Sequence, residues 1–176
     1  MNLQQLITDS IRASSTNVFS TMLGQELPPG ELAFEQGTPE PNDGVVSFIG
    51  IAGRWAGTGS IACSPTLACR ICSAMLMTEA SAVDAEVLDA VAELTNMIIG
   101  SVKTDLEAHL GPLGLSIPTV VYGRNFKTKS AGQHEWIVLT FLWDAEPLTV
   151  KLCLAPQERS PQHQHGSANH LYALEV

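Results

Sequence analysis

Basic residues are scarce in this sequence, and the scarcity limits the partners that the chain can bind. Of its 176 residues, 9 are Lys or Arg and 18 are Asp or Glu, so the formal net charge is −9. Non-specific binding to nucleic acid or to an anionic membrane surface needs clustered Lys and Arg side chains. We therefore predict no nucleic-acid and no membrane partner, whereas a protein with a basic patch would be attracted to this chain.

Long apolar runs are missing too. No uninterrupted stretch reaches the roughly 20 apolar residues that a membrane-spanning helix needs. The first residues, MNLQQL, lack the basic start and the apolar run of a signal peptide. These absences predict a cytoplasmic protein. The hydrophobic content of 45% is enough for the core of one globular domain.

Cysteine is also rare, but two of the four cysteines, Cys69 and Cys72, form a C-x-x-C pair. A zinc site would need a second Cys or His pair at metal-ligand spacing, and a thioredoxin-like motif would open a helix directly after a strand. The sequence offers no such second pair, and this C-x-x-C lies inside a predicted helix. We interpret the cysteines as small buried side chains in a reducing compartment, with no metal site.

Hydrophobic periodicity and turn residues predict three helices and several strands. The helices are expected at residues 2–23, from Pro65 to about Met77 with Ser64 as N-cap, and from the N-cap Asp84 to about Leu110. Strands are expected at residues 32–34, 44–52, 55–63, 115–122, 134–144 and 147–154, with a polar turn at 127–132. Residues 156–176 are rich in Gln, Ser, His and Pro, which predicts a disordered tail whose histidines are solvated rather than metal-bound.

The third predicted helix carries a polar stripe. At about 100° per residue, Asp89, Glu93 and Asn96 fall within about 60° of each other, and Gly100 and Lys103 extend the same stripe. Apolar residues occupy the opposite side of the helix: Val87, Val91, Leu94, Ile98 and Val102. The apolar side is therefore expected to face a core and the stripe to face outward, where Gly100 would let another surface come close.

Three chemistries fit such a stripe. Two carboxylates can act as acid and base, although that needs a cleft that shifts one pKa. Carboxylates plus an amide can hold a hard cation, although two carboxylates at i and i+4 make a weak site. An amide can also fix a water molecule in line with a phosphorus atom while a carboxylate holds the partner. Because exposed Asp, Glu and Asn are common on helices, the residues alone indicate only a candidate docking face.

The same residues resemble a known family motif. The motif is Asp or Ser, three residues, Glu, two residues, Asn, then 21 or 22 residues and Pro; here Asp89, Glu93 and Asn96 are followed by 21 residues and Pro118. ELTNMIIGSVK is similar to the family's ExxNMIxGxxK, and NVFSTMLG, from Asn17, resembles its opening helix. The sequence thus resembles the CheC/CheX/FliY family of chemotaxis phosphatases, most of all its CheX branch, over about residues 1–155.

The resemblance implies a fold and an activity. The fold would be a CheX-like α/β (α+β) domain over residues 1–155, a mostly antiparallel sheet with two long helices packed on it plus an N-terminal helix. Members remove the phosphoryl group from the aspartyl phosphate of a CheY-like response-regulator receiver domain. Glu93 would pair with a receiver lysine and Asn96 would position the attacking water. Asp89 matches a variable position, and Pro118 would shape the strand entry.

The resemblance also implies that the chain has no cofactor of its own, since the Mg²⁺ ion belongs to the receiver, and that it forms a homodimer with one site per protomer. A non-catalytic receiver-binding or flagellar-switch-like scaffold of the same fold is the alternative. The presence of both Glu93 and Asn96 favours the enzyme, because positioning water needs the amide. The matching spacing to Pro118 counts against a third reading, an unrelated acidic partner surface.

Overall fold

The computed structural model describes residues 2–36, 42–126 and 135–157. Along the chain these residues form α1 (Leu3–Val18) continued by a π-helical turn (Phe19–Leu23), β1 (Glu31–Gln36), β2 (Asn42–Gly53), β3 (Trp55–Cys63), α2 (Pro65–Leu76), α3 (Ala85–Leu110), β4 (Leu113–Leu115), β5 (Thr119–Phe126), β6 (Glu135–Trp143) and β7 (Glu146–Pro156). The predicted class, an antiparallel sheet with two helices and an N-terminal helix, is confirmed.

The helix boundaries follow from local chemistry. Ser64 and Asp84 cap α2 and α3 as predicted, because each side-chain oxygen accepts a hydrogen bond from a first-turn N–H group, that of Leu67 at 3.1 Å and that of Val87 at 3.0 Å. The first helix ends at Gly24, whose φ of 63° is a left-handed conformation that glycine adopts without steric cost.

The seven strands form one antiparallel sheet in the order β1-β6-β7-β3-β2-β4, and β5 pairs with β2 beside β4. The predicted hairpin of β2 and β3 is confirmed, with its turn at Gly53-Arg54. Strand β2 is therefore flanked on one side by β3 and on the other by β4 and β5 in succession. Among the strands that the structure describes, β1 and this broken β4–β5 strand form the two edges of the sheet.

The prediction of one strand over residues 115–122 was wrong, because the chain leaves the sheet between Leu115 and Thr119. At this point Gly50 N–H donates to the hydroxyl of Ser116 at 2.8 Å, and Ser116 N–H donates to Gly50 O at 2.9 Å. Pro118 has no N–H group to give to the ladder. The side-chain oxygen of Ser116 thus takes one backbone acceptor's place, and the ladder resumes only at β5.

All three helices cover one face of the sheet, and the core lies between the two layers. Helix α3 packs against α1, α2 and strands β2 to β5. Its predicted inner side is fully buried: Val87, Val91, Leu94, Ile98 and Val102 are each 0% exposed. Burying one such side chain contributes about 1.5–3 kcal/mol before conformational entropy is counted. Hydrogen bonds also tie α3 to α1, where the Ser10 hydroxyl donates to Asp105 Oδ2 at 2.8 Å.

A carboxylate fastens the end of α3 to β4. Glu107 lies 2.8 Å from the ammonium of Lys103 and accepts the N–H of Leu113 at 2.8 Å. These two contacts lower the pKa of Glu107, the backbone hydrogen bond being the larger cause. Because the pKa is lower in the folded than in the unfolded chain, the resulting stabilisation is present at neutral pH and is lost as pH falls through the folded-state pKa.

We therefore expect Glu107→Gln to unfold at a lower temperature than the wild type at pH 7, and the difference to shrink in acid. The amide keeps the shape and an acceptor for Leu113 but loses the charge that pairs with Lys103. Thermal unfolding followed by circular dichroism from pH 7 down to the acid limit of folding measures this. A difference that stayed constant over that pH range would show that the charge of Glu107 plays no part.

Two sequence predictions lie outside the described residues, namely the polar turn at 127–132 and the tail from residue 158 onward. Strand β7 extends to Pro156, so the first residue of the predicted tail still pairs with Trp55 of β3. None of the helices within 2–36, 42–126 and 135–157 combines the length and the hydrophobicity that a membrane-spanning segment needs.

Candidate functional site

The polar stripe of α3 faces away from the core, as the periodicity predicts. The side chains of Asp89, Glu93 and Asn96 are exposed, while Val91 and Leu94, between them in the sequence, are fully buried. The apolar side of α3 is buried against the sheet and the other two helices. This packing determines the direction in which the polar stripe points. Glu93 and Asn96 are three residues apart, or about 4.5 Å along the helix axis.

Neither Glu93 nor Asn96 is engaged by its described surroundings. No Lys, Arg or His among the described residues lies within ion-pair distance of Glu93. Two threonine hydroxyls of α3 turn back to their own helix, since Thr95 donates to Val91 O at 2.8 Å and Thr104 to Gly100 O at 2.9 Å. Within the part of the chain that the structure describes, the Asn96 amide has no hydrogen-bond partner, so its donor and acceptor are available to an outside group.

This geometry narrows the chemistries that the sequence left open. An acid–base carboxylate pair works in an enclosed cleft, whereas Asp89 and Glu93 project from the open side of one helix. No group of three or more His, Cys, Asp or Glu side chains in the described ranges is arranged to hold a metal ion. The described site presents an amide and a carboxylate on one helix, an arrangement that suits recognition and positioning of a group that a partner brings.

At Gly100, one turn after Asn96, no side chain projects from the helix surface. A Cβ atom placed on Gly100 would meet only Leu115 Cδ1, at 3.8 Å, so the position has room for a side chain that the sequence does not supply. Any larger side chain here would project from the stripe and hold a partner surface away from Asn96. Lys103, which continues the stripe, is held by Glu107 at 2.8 Å.

The gap between β4 and β5 contains a residue that the sequence analysis did not single out. Ile117 is 87% exposed, while Leu115 before it packs against the core. Pro118 directly precedes β5, where the resemblance places a residue that shapes the strand entry. In the sequence, an isoleucine within a predicted strand is expected to be a core residue. The interruption between β4 and β5 shows that Ile117 is a surface residue.

The cysteines occupy the core as expected. Cys69 and Cys72 lie within α2 and are buried, as are Cys63 and Cys153. Burial is the largest cause that raises the pKa of each thiol, and it raises the pKa of Cys63 to about 12. Thiols with raised pKa values stay protonated at neutral pH and make poor nucleophiles and metal ligands. The C-x-x-C pair is thus part of the packing of α2.

Solved structures of other proteins have the same fold. A structure of a CheC-like superfamily protein from Shewanella sp. PV-4 has a TM-score of 0.75 at 28% identity and covers 88% of this chain and 99% of its own. The structure of a chemotaxis protein CheX from Desulfovibrio desulfuricans has a TM-score of 0.75 at 26% identity, with 85% and 99% covered.

The sequence comparisons point the same way. The CheY-P phosphatase CheX of Thermotoga maritima is 39% identical over 90 residues, which are 50% of this chain. The match spans 57% of the length of that relative. The family model described as Chemotaxis phosphatase CheX matches residues 45–142, which include the α3 stripe and Pro118 and make up more than half of the chain. The chain therefore belongs to the CheX family of chemotaxis phosphatases.

Proposed function

We propose that this chain is a phosphatase that removes the phosphoryl group from the aspartyl phosphate of a CheY-like receiver domain. In this proposal Asn96 positions the attacking water and Glu93 pairs with a lysine of the receiver. The observation that carries it is the pair itself, an exposed amide and an exposed carboxylate about one turn apart on α3, with no bonding partner among the described residues. Membership of the CheX family and the name of the Thermotoga maritima relative support the same activity.

The reaction requires only that the chain position the attacking water. The water oxygen forms a bond to phosphorus while the bond from phosphorus to the aspartyl carboxylate oxygen breaks in line with it. The electron pair leaves on the receiver's carboxylate, the water's proton passes to the phosphate product, and inorganic phosphate departs. An amide about 3 Å from the water can accept one of its hydrogens and so aim a lone pair at phosphorus. Neither a nucleophile nor a covalent intermediate on this chain is needed.

We further propose that the chain contributes no metal ion to this reaction. Asp89 and Glu93 are four residues apart on an exposed helix, which offers too few oxygen ligands for a magnesium site of its own. The Mg²⁺ ion that the resemblance implies would then be held by the receiver, together with its phosphoryl group. The role of this chain is to complete a site that the receiver already contains.

The alternative function is a receiver-binding or switch-like scaffold that does not hydrolyse. Docking could use Glu93 alone, whereas positioning a water needs an amide such as that of Asn96, so the presence of both residues favours the enzyme. The test is to phosphorylate the receiver domains of the same organism and to measure phosphate loss with catalytic amounts of this chain. Faster loss supports the phosphatase; binding with no acceleration by the wild type supports the scaffold.

We also propose a homodimer in which each protomer carries one α3 site. The support is the edge strand β1, whose six residues are all exposed and which carries Leu32 and Phe34 on its surface. An unbroken edge with unpaired N–H and C=O groups is a template for a second strand. The other edge is interrupted at Ser116 and lies beside α3, where a second copy would crowd the stripe.

We expect sedimentation velocity to return about twice the chain mass of 18.8 kDa for the wild type. Phe34→Lys is expected to shift the population toward the monomer, because a charged side chain on an edge strand opposes pairing with a second edge. Tyr122→Lys, an equally exposed aromatic residue on β5, is the matched control. A monomeric wild type would contradict the dimer, and a shift with Tyr122→Lys instead would move the contact to the other edge.

A further inference from the structure

The backbone on each side of Ile117 is restrained, by hydrogen bonds before it and by a proline ring after it. Immediately before it, Ser116 is fastened to Gly50 by its N–H group and by its hydroxyl, at 2.9 Å and 2.8 Å. The Ser116 hydroxyl also donates to the carbonyl of Ile117 itself, at 3.0 Å. Immediately after it, Pro118 fixes its own φ and restricts the conformation of Ile117. These contacts hold the backbone at Ile117, which therefore presents an exposed apolar side chain at the rim of the sheet.

Two contacts show how the chain before Ile117 runs past α3. Leu113 donates its N–H to Glu107, and Leu115 lies against the bare position of Gly100, where a Cβ would be 3.8 Å from Leu115 Cδ1. Leu113 thus lies beside the C-terminal end of α3, and Leu115 lies beside a residue closer to the middle of the helix. Strand β4 and its continuation therefore run beside the polar stripe in the direction opposite to the helix.

The same course brings Ile117 to the level of Asn96. The four steps from Leu115 to Thr119 cover three positions of β2, from Ile51 to Phe48, so the chain advances about 5 Å from Leu115 to Ile117. From Gly100 back to Asn96, α3 spans about 6 Å. A partner that covers Gly100 and contacts Asn96 would therefore also contact Ile117.

We propose that Ile117 is an apolar anchor for the receiver domain, filling an apolar depression beside the receiver's phosphorylation site when α3 docks. This inference rests on the proposed function. Protein interfaces usually have an apolar centre ringed by polar contacts, and Ile117 would supply the apolar part beside the polar and charged groups of the stripe. The receiver is the occupant because the projection is continuous with the stripe that presents Glu93 and Asn96. The interaction contributes affinity for the receiver, whereas Asn96 acts on the water, so the loss of Ile117 should appear in KM rather than in kcat.

The experiment compares three substitutions of Ile117 with a matched control. Binding is measured to a CheY-like receiver of the same organism charged with beryllofluoride and Mg²⁺, and turnover to the phosphorylated receiver. Ile117→Asp is expected to weaken binding and raise KM by about tenfold to a hundredfold, and Ile117→Ala by about tenfold, with kcat within about twofold. Ile117→Val removes one CH₂ group and should stay within about fourfold of the wild type.

Leu142→Asp is the matched control, because Leu142 is another exposed aliphatic residue, 55% exposed, on β6 next to the β6–β7 turn. It makes the same change in charge and polarity and should leave KM unchanged. Circular dichroism and the thermal midpoint check the fold. Since the Ile117 side chain is 87% exposed, its removal should cost little stability, and Ile117→Ala serves if the aspartate variant does not fold.

Each result decides the proposal. An unchanged KM for Ile117→Asp, with an active wild type and an inactive Asn96→Ala, would overturn the anchor and leave the phosphatase standing. An equal loss with Leu142→Asp would show a general effect of added charge and would also overturn it. A changed sedimentation coefficient for Ile117→Asp with normal receiver binding would assign Ile117 to a contact between copies. A wild type that neither binds nor dephosphorylates any receiver would remove the proposed function, and this inference with it.

Discussion

Asn96→Ala is expected to lower the rate of receiver dephosphorylation by about a hundredfold to a thousandfold, the usual cost of removing one positioning polar group from a reaction site. The methyl group of alanine can neither donate nor accept a hydrogen bond, so the water is no longer aimed at phosphorus. Because the Asn96 side chain is exposed on α3, its loss leaves the buried side of the helix unchanged. The effect should therefore fall on kcat, while the affinity for the receiver changes little.

Asn17→Ala is the matched control, because Asn17 is also an exposed asparagine on a helix, in the last turn of α1, and the change in chemistry is the same. Its activity should equal that of the wild type. The measurement is phosphate release from the phosphorylated receiver at saturating and at limiting concentrations, with circular dichroism to compare the folds. A wild-type kcat for Asn96→Ala would mean that another group positions the water, even if the chain is an active phosphatase.

Helix α3 could be predicted from the sequence in nearly every detail because its determinants are local. Asp84 caps it, valine, leucine and isoleucine recur at helical spacing, and Gly111 follows its last residue. The outward direction of Asp89, Glu93 and Asn96 then follows from periodicity alone, because a helix with one fully apolar side must bury that side.

The break between β4 and β5 could not be predicted in the same way. The residues from Leu115 to Tyr122 read as one strand because apolar residues dominate. What interrupts the strand is a contact between residues 66 positions apart, the Ser116 hydroxyl with the N–H group of Gly50. Pro118 was the only local signal, and it marks a break in the ladder without saying which neighbouring side chain turns outward. The exposure of Ile117 is therefore a property of the sheet, visible only when β2 is in place.

The partner and the role of each stripe residue depend on a second molecule, so neither periodicity nor the structure of this chain alone fixes them. The sequence motif joined Glu93 and Asn96 to Pro118 by resemblance. The structure adds that Pro118 follows Ile117 between β4 and β5, and that α3 packs against both of these strands. A docking surface that includes both segments is larger than the helix stripe that periodicity alone indicates.

Glu93→Lys is expected to weaken binding to the activated receiver by about a hundredfold, and Glu93→Gln by about tenfold. In the proposed complex Glu93 meets a receiver lysine at a contact that excludes water. Glutamine removes the attraction but keeps a hydrogen-bond acceptor, whereas lysine places two positive charges together and leaves both without a counter-ion. Since no described residue forms an ion pair with Glu93, either change should leave the stability of the free protein almost unaltered.

Glu26→Lys separates this contact from long-range steering. It replaces an exposed glutamate outside α3 and makes the same two-unit change in a net charge of −9. Long-range attraction between whole proteins acts mainly on the association rate and fades as salt is added. If Glu93 touches the lysine directly, Glu93→Lys must raise the dissociation rate as well, and the loss must persist at high salt, where Glu26→Lys binds like the wild type. Equal affinities for Glu93→Lys and Glu93→Gln would show that the receiver's lysine does not contact Glu93. Contacts other than Glu93 would then have to set the distance between Asn96 and the phosphoryl group.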